Sequence, residues 1–380
     1  MINFDKYCCQ QDLRTYDPYD VWKTHLGFCV KDIYNTNRQL GFLPAAMLTV
    51  FDMFNHRRYF YQKQEYPIVR AWAVLILLNL YKKKPNLKYL EFAKLHLAWL
   101  AENHSTGYKG IGWGLNFPYA VSKGLHYDAD TPFSTMTPYC LEAFVAYQEV
   151  TGDTCFDWIL QDIFIFFDQD IRVMCEDEIS MATSYTPIKD RIVINALSYT
   201  MYALSILLKK LFNGSNQAVE QKVKKLFNFI IMNQHDDGSW YYSPDGESFI
   251  DCFHSCITIK NIIKTNQFIS LNNAADCISR GYQFLRKKLF DEKKRLFRRF
   301  ASANKPGIIK YDLYDNAEML NLCYLCDDKE FAENLLESIK LSFCQHDQIY
   351  SQIDVFGRRI NPAMLRWAVM PYLYSLSLFA

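Results

Sequence analysis

One stretch of the sequence reads Asn233-Gln-His-Asp-Asp-Gly-Ser-Trp-Tyr-Tyr242 and continues, after a short polar link, as Phe249-Ile-Asp-Cys-Phe-His-Ser255. It concentrates acids, histidines and large aromatic side chains between two apolar segments of the chain. In both flanking segments apolar residues recur at three- and four-residue spacing, which is typical of helices. The stretch therefore predicts a polar, aromatic connection between two helices.

Working outward, two kinds of predicted helix alternate along the chain. One kind is apolar nearly all round, and its six members are predicted at Pro67–Leu80, Ser134–Val150, Ile192–Leu211, Phe249–Ile263, Asp312–Cys326 and Pro362–Phe379. The other kind has one apolar stripe and one charged face. Its members are predicted at Leu87–Glu102, Thr154–Val173, Gln217–Asn233, Asn273–Leu289 and Lys329–Phe343, with an earlier helix near Tyr19–Asn35 completing the set. The starts of the apolar helices lie roughly 50–70 residues apart, which indicates a repeat.

Alternating inner and outer helices close most simply into a ring. We therefore predict an all-α fold, an α/α toroid of about six helical hairpins, with inner and outer helix rings. A single domain is expected over residues 1–380. In such a ring the polar connections that precede the inner helices gather at one end, where a pocket is expected.

Composition narrows the classes of function. The chain has 380 residues, 50% of them hydrophobic and 16% aromatic, which supports a large core. Its 42 basic and 41 acidic residues leave a net charge of +1, which argues against nucleic acid as a partner. The N-terminal residues do not resemble a signal peptide, and the apolar run Ala71–Leu78 is too short to span a bilayer, so a cytoplasmic location is expected. The 12 scattered cysteines are typical of reduced thiols, and neither a metal nor a cofactor is predicted.

Several motifs occur in a set order along most of the chain. They are Asp17-Pro-Tyr-Asp20, Gly112-Trp-Gly-Leu-Asn-Phe-Pro118, Asp130-Thr-Pro132, Ser184-Tyr-Thr-Pro187, Gln234-His-Asp-Asp-Gly-Ser-Trp-Tyr-Tyr242, Ile250-Asp-Cys-Phe-His-Ser255 and Tyr311-Asp312. In order and spacing they resemble a family of bacterial polysaccharide-biosynthesis proteins. That family belongs to the six-hairpin, glycosidase-like superfamily and is found among capsule and surface-glycan genes. The resemblance implies an α/α toroid and a role in glycan assembly or modification, and it assigns no reaction.

The chain departs from this family at two places. The family tends to read Asp-Asn-Phe-His-Thr-Gly where this chain has Asp251-Cys-Phe-His-Ser-Cys256. It also tends to carry a histidine after the acid of the fifth connection, where Asp312-Leu-Tyr-Asp315 stands here, which puts a histidine-dependent role of that connection in doubt.

A weaker similarity points to squalene-type terpene cyclases. Gln234-x-x-x-Gly-x-Trp240 fits the repeat motif of those proteins, where it ties helices together. The Asp-x-Asp-Asp motif that those cyclases need is incomplete at Asp128-Ala-Asp-Thr131. Terpene cyclisation is therefore the least favoured function.

The polar connections offer groups for two kinds of sugar chemistry. Hydrolysis needs paired carboxylates. Uronate epimerases and lyases need a base, a Tyr or His as acid, and a cation for the enolate-like state. Because acids, His, Tyr and Arg cluster in these connections, we expect epimerase or lyase chemistry in preference to hydrolysis. The catalytic candidates are Asp251, His254, Asp237, Tyr241 and Asp312.

A second set of residues is predicted to bind substrate. Trp113 and Trp240 are expected to stack on sugar rings, and Arg366 to hold an anionic group. The full set of binding candidates is Trp113, Asn116, His126, Asp130, Tyr185, Trp240, Arg366 and Trp367.

Each of these residues also has a structural explanation. Asp237-Gly238 suits a turn with a left-handed position. Asp251 suits the cap of the helix that follows it, and His254 suits a buried histidine with satisfied hydrogen bonds. The three tryptophans of the set are also compatible with positions in the hydrophobic core.

The resulting hypothesis is a carbohydrate-active enzyme of bacterial surface-polysaccharide biosynthesis or modification, acting on capsule, O-antigen or exopolysaccharide. Its substrate is expected to be a glycan or sugar precursor. A six-hairpin glycoside hydrolase and a non-catalytic glycan-binding or assembly protein stay open as alternatives. Peripheral association with a membrane glycan-assembly system and the oligomeric state stay open as well.

Overall fold

Helices make up most of the structure. The computed structural model describes residues 2–189, 191–244, 248–302 and 307–379. The α-helices in these ranges are α1 (Asp5–Cys8), α2 (Asp20–Lys23), α3 (His25–Thr36), α4 (Arg38–Phe54), α5 (Pro67–Lys83), α6 (Leu87–Glu102), α7 (Thr137–Thr151), α8 (Trp158–Ile165), α9 (Ile194–Phe212), α10 (Gln217–Met232), α11 (Cys252–Asn266), α12 (Ala274–Phe284), α13 (Leu313–Leu325), α14 (Lys329–Phe343) and α15 (Met370–Phe379).

Six helices form a closed inner ring. Each of α5, α7, α9, α11, α13 and α15 packs against the next, and α15 packs back against α5. These helices are apolar nearly all round because they are covered on every side. Every residue of α9 from Ile194 to Leu208, for example, is buried.

Five amphipathic helices surround this ring. α6, α8, α10, α12 and α14 each pack against the inner helix that precedes them. α10 buries one stripe, made of Val219, Val223, Leu226, Phe227 and Ile230, and exposes its charged face. The predicted all-α toroid with inner and outer rings is confirmed, and α6 and α14 begin and end at the predicted residues.

Two of the predicted helices need correction. The segment near Tyr19–Asn35 does not join the outer ring, because α3 packs against α4 and β1 instead. The helix predicted from Pro362 begins only at Met370. A strand and a kinked turn precede it, and Ala368 in that turn has a positive φ of 92°, which interrupts regular helix.

Short antiparallel strands lie in the connections between helices. They are β1 (Tyr119–Ser122), β2 (Leu125–Tyr127), β3 (Val173–Glu176), β4 (Met181–Thr183), β5 (Ile250–Asp251), β6 (Phe290–Asp291), β7 (Leu296–Phe297), β8 (Phe300–Ser302), β9 (Ile309–Asp312), β10 (Cys344–Gln345), β11 (Gln348–Asp354) and β12 (Arg359–Pro362). β11 pairs with β9, β10 and β12, while β1 pairs with β2, β3 with β4, β5 with β8 and β6 with β7. The pair β5–β8 matters most for the site, because β5 leads directly into α11.

The N-terminal helices α3 and α4 form a hairpin outside the two rings. α4 packs against α3 and α2. Within the described ranges, no helix has both the length and the apolar character needed to cross a membrane.

Candidate active site

A cavity of about 340 Å³ lies where the inner helices begin. Residues from the starts of α5, α7, α9, α11 and α13 line it, together with residues from the connections that precede α7, α9, α11, α13 and α15. Its walls are mostly aromatic, formed by Tyr19, Trp72, Phe117, Tyr119, Tyr127, Phe133, Tyr139, Tyr185, Tyr199, Tyr242, Phe249, Phe253, Phe300, Tyr314 and Trp367. Because helix N-termini carry a partial positive charge, this end of the ring favours a negatively charged group.

Asp251 and His254 form a pair at the start of α11. Asp251 caps the helix, and its Oδ1 accepts a hydrogen bond from the His254 backbone N–H at 3.2 Å. Its Oδ2 lies 2.8 Å from His254 Nδ1. The pairing assigns the proton to Nδ1, which donates to the carboxylate. Among the described residues, Nε2 has no hydrogen-bond partner, so it is the ring nitrogen available to a ligand.

Aromatic rings fix the plane of His254. The Phe253 ring lies 3.8 Å away between centroids and the Tyr242 ring 4.6 Å away. His254 keeps about a fifth of its side chain exposed, while Asp251 is buried behind it. Both residues line the cavity, but His254 is the more exposed member of the pair and covers most of the Asp251 carboxylate. Burial raises the pKa of the Tyr242 phenol, so its hydroxyl is protonated at neutral pH.

A buried acid, Asp315, holds the backbone at the start of α11, next to this pair. Asp315 Oδ1 accepts a hydrogen bond from the Phe253 backbone N–H at 3.0 Å. Burial raises the pKa of Asp315 well above its usual value, because the carboxylate has lost its hydration. Asp315 fixes the first turn of α11 through this bond and does not line the cavity.

Arg299 is a cavity residue that was not in the predicted set. Its Nη1 donates to Asp312 Oδ2 at 3.0 Å, and its guanidinium lies 5.2 Å from the Trp367 ring centroid. It stands at the end of a basic run that sequence composition assigns to a solvated face. The only available signal was its position, just before the connection into an inner helix.

Asp312, a predicted catalytic residue, is fully buried and does not line the cavity. Its Oδ2 accepts from Arg299, from Gln352 Nε2 at 2.9 Å and from Trp367 Nε1 at 2.9 Å. Its Oδ1 caps α13 by accepting from the Tyr314 N–H. With both oxygens occupied, Asp312 positions Arg299 and Trp367.

Arg366 lines the cavity but already has an anionic partner. Its Nε and Nη2 donate to the two carboxylate oxygens of Asp17 at 2.5 and 2.7 Å. Asp17 is fully buried, so the pair is held in place. Asp17 thus already compensates the charge of Arg366, and the role of Arg366 in holding a substrate anion stays a prediction. Arg191 also lines the cavity and lies 4.9 Å from the Tyr185 ring centroid.

The two predicted stacking platforms lie in the core instead of on the rim. Trp113 is fully buried, and its Nε1 donates to the Leu100 carbonyl at 3.0 Å. Trp240 is buried too, and its Nε1 donates to the Ile230 carbonyl at 2.9 Å. Neither ring lines the cavity, so neither offers a face to a sugar there.

Two predicted catalytic residues lie in the turn after α10. Asp237 Oδ1 accepts from the N–H and the hydroxyl of Ser239, which closes an exposed turn. Gly238 has a φ of 91°, the left-handed position expected of Asp-Gly. Tyr241 packs on His235. The next residue, Tyr242, does line the cavity.

Three predicted binding residues are exposed beside the cavity lining. His126 Nε2 lies 2.7 Å from Asp32 Oδ1, and Asp130 Oδ2 accepts from Thr106. Asn116 Nδ2 donates to the Glu65 carbonyl at 3.3 Å. The structure thus brings together Asp251, His254, Tyr185, Arg366 and Trp367 from the predicted set and leaves the other predicted residues outside the cavity lining.

Comparison with protein-family models finds no match, and comparison with curated proteins finds none either. Among solved structures, a cellobiose 2-epimerase from Bacillus thermoamylovorans is 11% identical with a TM-score of 0.63, covering 83% of this chain and 86% of that one. A polysaccharide lyase is 12% identical with a TM-score of 0.55, covering 94% and 97%. A GH76 α-mannanase from Bacteroides thetaiotaomicron is 10% identical with a TM-score of 0.58, covering 83% and 86%. The chain therefore shares the α/α toroid fold of these enzymes.

Proposed function

We propose that the protein is a carbohydrate-active enzyme that moves a proton on a sugar ring, as an epimerase or a lyase acting on a uronic acid. One observation carries this proposal. Among the described residues that line the cavity, Asp251 is the only carboxylate, and it is bonded to His254. The fold neighbours include a cellobiose 2-epimerase and a polysaccharide lyase, which supports the same class of chemistry.

Hydrolysis fits the described cavity less well. A glycoside hydrolase needs two carboxyl groups on either side of the scissile bond, one as acid and one as base or nucleophile. Asp312 and Asp315 are buried beneath the cavity surface and bonded to Arg299 and to the Phe253 N–H. They cannot face a glycosidic bond from those positions.

The proposed chemistry uses His254 as the base. Nε2 takes the proton from the sugar carbon next to the carboxyl group, and the electron pair of the C–H bond moves into that carboxyl group as an enolate. Asp251 stabilises the imidazolium that forms. Arg299, Arg191 and the converging helix N-termini stabilise the enolate oxygens.

The second step decides between the two reactions. A tyrosine hydroxyl on the cavity wall, for which we select Tyr185, returns a proton to the opposite face of the carbon in epimerisation. In elimination the enolate instead expels the neighbouring glycosidic oxygen, and the same hydroxyl protonates that oxygen. Neither reaction involves a net oxidation or reduction, so neither needs a redox cofactor.

A non-catalytic glycan-binding protein is the second candidate. It is favoured by the aromatic walls of the cavity, since sugar rings stack on aromatic faces. Biosynthesis of a surface polysaccharide, a cytoplasmic location and peripheral association with a membrane glycan-assembly system stay predictions that rest on the sequence.

Exchange of carbon-bound hydrogen separates the two candidates. Oligosaccharides of glucuronate, galacturonate and mannuronate are incubated with the protein in D2O, and deuterium at the carbon beside the carboxyl group, or a new double bond, is followed by NMR. We expect His254→Ala and Asp251→Asn to lower the rate by about 10²–10⁴-fold, because general-base catalysis is lost. His126→Ala is the matched control, since His126 also pairs with an aspartate but lies outside the cavity.

Undiminished exchange in a folded His254→Ala protein contradicts the proposed base. Binding of these sugars by the wild-type protein without exchange or cleavage supports the binding protein instead.

A further inference from the structure

An apolar stripe covers the outward face of α4. It consists of Leu40, Leu43, Met47, Val50, Phe51 and Phe54, whose exposed fractions range from 45% at Phe51 to 69% at Leu40. Their spacing places them on one side of the helix along its whole length. Apolar patches of this extent on a folded protein mark a surface that contacts something else.

The opposite face of α4 holds it to the protein. Gly41 is the buried residue of the helix, and a Cβ there would lie 2.2 Å from the Tyr34 backbone, so α3 and α4 approach closely. Asp52 points away from the stripe and pairs with Arg58 at 3.2 Å. The packing of α4 against α3 therefore holds the stripe outward.

The segment around the stripe is basic. Arg38, Arg57 and Lys63 are exposed, while the only acid between residues 36 and 63 is the paired Asp52. Beyond α4, Phe60 has a φ of 68° and is 86% exposed, so the loop also presents an aromatic side chain to the outside.

We propose that the stripe of α4 and the Phe60 loop form a docking surface for an anionic lipid bilayer. The apolar side chains enter the boundary between headgroups and acyl chains, and Arg38, Arg57 and Lys63 contact the lipid phosphates. A second copy of the chain is a poorer occupant, because a two-fold contact through α4 would bring these like charges together.

Docking in this way has a consequence for the site. A second cavity of about 380 Å³ lies beneath α4 and is lined by Thr49, Asp52 and Met53. It shares Tyr19, Arg299 and Trp367 with the central cavity. A bilayer bound to α4 would therefore lie beside a cavity that adjoins the candidate active site, which suits a glycan carried at a membrane surface.

Vesicle flotation tests this surface without any sugar substrate, so its outcome is independent of the proposed enzymatic function. The full chain is mixed with phosphatidylcholine vesicles that contain or lack phosphatidylglycerol. We expect roughly 100-fold stronger binding to the anionic vesicles, because three basic residues act together at the surface. Replacing them as Arg38→Gln, Arg57→Gln and Lys63→Gln removes that preference.

The stripe is tested by combining Leu43→Gln, Met47→Gln and Val50→Gln, which we expect to lower vesicle binding at least about tenfold. The matched control combines Leu87→Gln, Met232→Gln and Leu341→Gln, which are similarly exposed on the outer ring. Absence of wild-type binding to anionic vesicles, or equal losses in the stripe and control variants, overturns the proposal. A dimer seen by light scattering that the stripe variant abolishes, without vesicle binding, assigns α4 to a second copy instead and overturns it too.

Discussion

The two halves of the stretch, residues 233–242 and 249–255, contain similar residue types but have different roles. In the first half, Gln234 Nε2 donates to the carbonyls of Gly238 and Cys277, which ties the turn after α10 to α12. Trp240 donates to Ile230 behind it. In the second half, the Asp251–His254 pair leaves one histidine nitrogen toward a cavity. A polar residue therefore indicates chemistry when part of its hydrogen-bonding capacity stays open to a ligand.

The largest effect that we predict is a loss of stability on substitution in the first half of the stretch. Trp240→Ala removes a buried ring that packs on Gly281 and should lower the free energy of unfolding by about 3–5 kcal/mol. Chemical denaturation measures this loss, and Trp240→Phe, which keeps most of the volume, is the control. The activity of the folded fraction should be unchanged. A variant with wild-type stability and lost activity would place the first half in the site.

A smaller effect separates two neighbouring tyrosines. Tyr242 lines the cavity beside His254, whereas Tyr241 packs on His235. Tyr242→Phe should slow hydrogen exchange on the sugar by up to about tenfold, the value of one hydrogen bond. Tyr241→Phe is the matched control and should leave the rate unchanged. Equal rates of hydrogen exchange for the two variants would show that the Tyr242 hydroxyl takes no part in the reaction.

The smallest expected effect concerns pH and Asp315. Burial raises the pKa of its carboxyl group in the folded state, so its contribution to stability is complete below the ordinary value of 3.8 and declines as the pH rises toward the raised pKa. Asp315→Asn keeps the bond from the Phe253 N–H and does not titrate. The melting temperature of the variant, measured relative to that of the wild type, should therefore increase as the pH rises from acidic to alkaline. A constant difference across pH would show that Asp315 does not titrate in this way.

Most of the fold was predictable, because helical periodicity is local. The apolar and amphipathic segments alone predicted both rings, including the bounds of α6 and α14. The late start of α15 was not predictable, since the positive φ at Ala368 is imposed by surrounding structure and not by residue type.

The site was predictable only in part. Asp251 caps α11 and His254 follows three residues later in its first turn, so their pairing follows from local geometry. Asp17 and Arg366 are 349 positions apart, and periodicity gives no information on such a contact. The burial of Trp113 and Trp240 depends likewise on how neighbouring helices pack, and the same motif is compatible with a rim or a core.

The closure of the inner ring has a consequence for how the protein is made. Lys83 in α5 donates to the carbonyls of Ser377 and Leu378 in α15, and Arg366 bonds to Asp17. Lys83 and Ser377 are 294 positions apart, and at about 5–20 residues per second a ribosome needs roughly 15–60 s to cover that distance. Throughout that interval the apolar helix α5 lacks its last neighbour, and one wall of the cavity does not exist. The nascent chain therefore needs protection from aggregation longest at its beginning, and any catalytic activity can appear only after α15 has docked.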